Sequence, residues 1–233
     1  MRTKLWATIF RDNFIKEISI LEGVLEDRIL PAFGNASEEA KQISEKRYEQ
    51  LSEHSNEYSN GSQIAEDAHF TGVDYYNGLE DAKQGIINMF AASFYHLFEQ
   101  QLFDILRYEF LEPEERDKHN LYTVCQIYDR FKNIGIDLKD ISSYNKFYPE
   151  LRHICNIVKH ADATSPSQLI KVKPELFQDL FTREHPESTL KGKKQVSRPL
   201  FGEGLYLTIE DLKIYTTAIK LFWEELAIIL DNK

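Results

Sequence analysis

Between Ile86 and Leu106 the chain leaves a helix almost no polar side. Ile86, Ile87, Met89, Phe90, Ala91, Ala92, Phe94, Leu97, Phe98, Leu102, Phe103 and Leu106 fall all round the axis at helical spacing. A helix apolar on every face must be surrounded by other elements or bury part of its surface in a second copy. The pattern predicts a central helix over residues 73–111, preceded by a shorter one over 62–72 that stops at Thr71-Gly72.

Other helices are predicted to pack around this axis. Phe14, Ile18, Leu21 and Val24 or Leu25 repeat at helical spacing over residues 9–31, and Pro31 stops that helix. Residues 36–57 are charged with a thin apolar stripe (Ile43, Tyr48, Leu51), as expected of a solvated helix. Residues 120–134 form a further helix ended by Gly135. The last helix, 209–230, opens on Thr208 with Asp211 three residues on, the spacing of a capping box. In the irregular stretch 167–207, Leu169–Val172 and Leu205–Leu207 read as two short strands. The expected fold class is therefore all-α, a helical bundle with a short β-hairpin before the last helix.

The most usable chemistry lies in residues 150–160, ELRHICNIVKH. On a helix begun by Pro149, Leu151, Ile154, Cys155 and Val158 form a core face. Arg152, His153, Asn156, Lys159 and His160 fall together on the opposite side. Arg152, Asn156 and His160, spaced i, i+4, i+8, stack along one ridge. A guanidinium grips phosphate, and an imidazole moves a proton near neutral pH.

A long apolar helix, a connecting helix, and then a helix bearing Arg, Asn and a terminal Lys-His together resemble the HEPN superfamily. Asn156-x-x-x-His160 matches half of the family motif. The family places Arg just before the Asn, where this chain has Cys155; Arg152 lies one turn earlier on the same ridge. The resemblance covers residues 76–233 and leaves 1–75 as an N-terminal helical extension. It implies a HEPN-like all-α bundle and a homodimer whose two motif copies form one composite site. It also implies metal-independent endoribonuclease activity in a toxin–antitoxin or anti-phage defence setting, with a cognate antitoxin or defence-system partner. In that chemistry an RNA 2′-OH attacks the adjacent phosphate. His160 acts as acid/base, Arg152 stabilises the phosphoryl charge, and Asn156 holds His160 or a phosphate oxygen. No cofactor and no metal is called for. His153 and Lys159 are candidates for substrate binding. The competing expectation is a non-catalytic dimerisation or interaction module that keeps a HEPN-like shape.

Other features carry less. Arg47-x₆-His54 satisfies the family spacing but sits in a polar segment expected to be solvated. His96 and Glu99 interrupt the central helix, so they must find partners or face a cleft; they are candidate second-helix contributors, or His96 is a satisfied core histidine. The basic tract 191–198 reads as a loop able to track phosphates. Tyr75, Tyr76, Phe90, Phe94, Tyr95, Phe98 and Phe103 read as core and dimer packing. The net charge of −10 argues against a general nucleic-acid coat. Cys125 and Cys155 read as buried reduced thiols, as expected of a cytoplasmic protein. The apolar patch of MRTKLWATIF is too short for a signal peptide, and no run of eighteen apolar residues could span a membrane. There is no P-loop, GxGxxG or GxSxG.

Overall fold

A computed structural model describes residues 2–54, 60–116, 122–161, 164–179 and 198–233. They form an all-α bundle, and no β-sheet occurs among them. Helix α1 (Thr3–Ile9) runs through a π turn (Phe10–Phe14) into α2 (Ile15–Val24), and a second π turn (Leu25–Ile29) leads into a 3₁₀ turn (Leu30–Phe33). Then follow α3 (Ala36–Glu53), α4 (Gly61–Ile105), the short α5 (Pro113–Arg116), α6 (Val124–Asn133), α7 (Tyr148–His160), α8 (Thr164–Val172) and α9 (Ile209–Asp231).

Helix α4 is the axis that its sequence predicts. It is one helix of 45 residues and does not stop at Thr71-Gly72. Gly72 serves close packing instead: a Cβ there would stand 2.8 Å from the Ala40 carbonyl oxygen of α3. The first half of α4 pairs with α3 through Ala36, Ala40, Ala68 and Gly72, which are all buried. The boundary expected at residue 75 thus falls inside a continuous helix. Arg47 and His54 are exposed, as their polar segment requires.

The second half of α4 enters the main core. Phe98 is its hub, with ring centroids 5.0 Å from Phe147, 5.3 Å from Phe222 and 5.5 Å from Trp223. The amino-terminal helix begins at residue 3, earlier than its periodicity predicts, and packs into this same core. Phe10 and Phe14 each lie 4.9 Å from the Trp223 ring. Arg11 pairs with Glu224 and Asp231, and Glu22 accepts hydrogen bonds from Thr216 and Lys220. These links fasten α1 and α2 along α9.

The expected β-hairpin is absent. Leu169–Val172 ends helix α8, where Ser165 and Leu169, one helical turn apart, are the buried positions. Leu205 and Leu207 do alternate inward as a strand would, but Tyr206 N–H donates to the Leu176 carbonyl, part of a 3₁₀ turn (Pro174–Phe177). This segment is fixed to α4. Asn88, fully buried, donates to the carbonyls of Pro199 (2.7 Å) and Leu205 (2.8 Å), and Gln84 donates to that of Leu207. Gly85 lets the backbone approach, since a Cβ there would be 2.1 Å from the Leu200 oxygen. Helix α9 then opens on the expected capping box: Thr208 Oγ1 accepts from Asp211 N–H, and Asp211 Oδ2 accepts from Thr208 N–H.

Candidate functional site

Helix α7 forms as its sequence dictates. Pro149 occupies its first turn, where no amide is needed, and Leu151, Ile154, Cys155, Ile157 and Val158 are buried against α4 and α8. Arg152, Lys159 and His160 are exposed, and His153 and Asn156 are half-buried. The ridge therefore exists. Lys159 and His160 lie in the last turn, where the partial negative charge of the helix end favours cations. Ala161 follows at φ 49°, a left-handed value that costs a non-glycine residue about 1 kcal/mol.

Glu150, two residues before Arg152, does not neutralise the ridge. Glu150 turns to α9, where it accepts from the Tyr215 hydroxyl at 2.9 Å and faces Lys173 at 3.8 Å. Among the described residues neither Arg152, Lys159 nor His160 has a carboxylate within ion-pair distance.

The ridge is not one compact site. Arg152 and His153 open on a cleft of about 500 Å³ between α4, α6 and α7, together with Glu99, Lys139 and a group of tyrosines. Asn156, Lys159 and His160 continue along α7 outside that lining. Eight residue steps of helix take Arg152 to His160, about 12 Å along the axis. His96 sits beside the cleft. Its Nδ1 is 3.4 Å from Glu99, and its Nε2 is 3.5 Å from Cys155 Sγ. His96 and Glu99 are thus partnered with each other, His96 is half-buried rather than core, and Glu99 lines the cleft.

The floor of the cleft is a phenol cluster. The Tyr128 and Tyr144 hydroxyls are 2.6 Å apart, and the Tyr144 and Tyr148 rings stack at 4.6 Å. Burial pushes the Tyr95, Tyr128 and Tyr144 phenols up, so they stay neutral hydrogen-bonding groups. Burial, helped by the Arg152 charge, pulls His153 down. Its Nδ1 is buried and meets no hydrogen-bond partner among the described residues. Lys139 lies over the Tyr128 ring, 5.5 Å from its centroid.

Several of these residues are not legible as site residues in the sequence. Tyr128, Tyr144 and Tyr148 lie outside the aromatic series of α4, and Lys139 sits in a connecting segment without periodicity. The i, i+4 spacing of Tyr144 and Tyr148 is the one local signal. Cys125 corrects an expectation: it is exposed and lines the cleft, because α6 starts at Val124 and buries Ile127, Tyr128 and Phe131 instead. Cys155 is buried, and burial pushes its thiol up. Of the aromatic series, Phe94, Tyr95 and Phe98 are core, whereas Tyr76 is exposed. The basic tract 191–198 lies outside the described residues except for Arg198, which pairs with Glu203.

Among the described residues no three His, Cys, Asp or Glu side chains converge to hold a metal ion, and no helix is long and apolar enough to cross a membrane. No family model, curated protein or solved structure matches this chain.

Proposed function

We propose that this chain is a metal-independent endoribonuclease of HEPN type that works as a homodimer. The observation that carries the reading is the Arg152–Asn156–His160 ridge, whose Arg152 and His160 are exposed and have no carboxylate partner among the described residues. In an acidic protein, unneutralised cations along one helix face suit a polyanion. The length of the ridge supports a dimer. Two α7 helices crossing antiparallel at Asn156 would set Arg152 of one chain against His160 of the partner subunit. One scissile phosphate would then meet both groups.

In this reading one imidazole takes the proton of the RNA 2′-OH as its oxygen attacks phosphorus. A water molecule protonates the departing 5′ oxygen, and the hydroxide it leaves takes the proton back from the imidazolium, giving a 2′,3′-cyclic phosphate and a 5′-OH end. Arg152 stabilises the charge on the phosphoryl oxygens. The defence or toxin setting and a cognate partner belong to the same proposal. The test is incubation of a mixed RNA pool with purified protein in excess EDTA, wild type beside His160→Ala. Cleavage by the wild type alone is expected, and equal cleavage by folded His160→Ala overturns the assignment.

One observation favours a second reading, a non-catalytic interaction module with a HEPN-like shape. Cys155, where the family places its arginine, is 1% exposed and inside the core. A folded dimer that leaves the RNA pool intact supports that reading.

A further inference from the structure

The cleft between α4, α6 and α7 holds more cationic and hydrogen-bonding capacity than the fold itself uses. Arg152 and Lys139 both line it, and neither has a carboxylate partner among the described residues. The one carboxylate of the lining, Glu99, is already within 3.4 Å of His96. His153 Nδ1 is buried and has no hydrogen-bond partner among the described residues, so the fold does not use this polar group. Val124 and Pro149 add an apolar wall beside the half-buried Tyr148. The volume of about 500 Å³ lies within the range of small-ligand sites.

We infer that this cleft binds a phosphomonoester of nucleotide size, with its phosphate between Arg152 and Lys139 and its ring against Tyr148, Pro149 and Val124. A phosphate monoester carries close to two negative charges at neutral pH, matching two cations. The guanidinium fork and the ammonium point charge are the usual pair for such a group. The neutral phenols serve the ligand's remaining polar atoms. This inference does not rest on RNA cleavage, since it makes no use of His160.

Cys125 supplies the readout. It lines the cleft and is exposed, whereas Cys155 is buried, so a thiol-alkylating reagent reports on Cys125. The alkylation rate is measured on the full chain with AMP, GMP, CMP and UMP in turn, each at about 5 mM. Adenosine, inorganic phosphate and a short single-stranded RNA are run as separate arms. At least one mononucleotide should slow alkylation about tenfold or more. Inorganic phosphate should slow it less, and adenosine not at all. Lys139 is exposed, so Lys139→Glu keeps the fold; it should abolish protection while Cys125 still reacts at the unliganded rate. Protection retained in His160→Ala separates this inference from the nuclease reading. It is overturned if no mononucleotide protects, if adenosine protects equally, or if Lys139→Glu is protected as well as the wild type. Protection by RNA alone would assign the cleft to a polynucleotide path and likewise overturn it.

Discussion

Cys155 Sγ on α7 lies 3.5 Å from His96 Nε2 on α4, so the ridge helix touches the central helix through a thiol and an imidazole at the edge of the cleft. The thiol is a core group that meets the His96 imidazole. An arginine there would have to place a guanidinium among Leu151, Ile154 and Val158, and an unpaired buried charge is strongly disfavoured.

Placing an arginine at this position should therefore damage the fold. Cys155→Arg is expected to cost about 3 kcal/mol or more, whereas Cys155→Ala should cost about 1 kcal/mol. Urea unfolding of the two variants checks the contrast. Near-wild-type stability in Cys155→Arg would mean that α7 can rotate to expose the position.

His153 should titrate below its usual value of 6.5, because burial and the Arg152 charge disfavour the imidazolium. A histidine whose folded value is lowered contributes stability that is fully present above the unfolded value and is lost as pH falls through the folded one. NMR titration of the His153 ring should give a midpoint under 6.5, and Arg152→Gln should move it upward. A midpoint at or above 6.5 contradicts the assigned burial.

Glu225 makes a second pH-dependent lock. Burial works against its carboxylate, but hydrogen bonds from Ser142 and Ser143 outweigh that and hold it below its usual 4.5. Its contribution is present above the unfolded value and disappears as pH falls through the lowered folded one. Stability measured from about pH 5 down to about pH 3 should fall less steeply in Glu225→Gln than in the wild type. Equal slopes would show that the serines do not hold the carboxylate in solution.

Asn88 should be the most sensitive polar residue of α4. Asn88→Leu leaves the Pro199 and Leu205 carbonyls without their donor in a buried place. The expected cost is about 2 kcal/mol, with hydrogen exchange accelerating around residues 199–207 before it does in α7. Uniform exchange across the chain would argue against a local latch.

Much of the fold is legible in the sequence, because helix periodicity and end signals act locally. The core face of α7, the capping box at Thr208 and the turn at Gly135 can each be read from fewer than a dozen neighbouring residues. Gly72 and residues 169–207 are not legible in this way. A glycine inside a helix looks like a stop until α3 is seen against it, and Leu205–Leu207 alternates like a strand while its bonding partners come from α4 and a 3₁₀ turn. The candidate site divides along the same line. Its ridge is periodic and visible, whereas the cleft is assembled from four segments whose meeting depends on tertiary packing.

The π turn at Phe10–Phe14 has a consequence for how the amino-terminal helix tolerates change. Trp6, Phe10, Phe14 and Ile18 recur every fourth residue, and in a plain α-helix each step would drift about 40° around the axis. A wider turn absorbs that drift and keeps all four in the core. Its extra residue therefore sets the phase of everything before it. Deleting one residue within Phe10–Phe14 would leave a more regular helix and swing Trp6 about 100° around it, away from the Glu109 carboxylate that accepts its indole N–H. In this helix a substitution is a local event, but a change in length is a rotation.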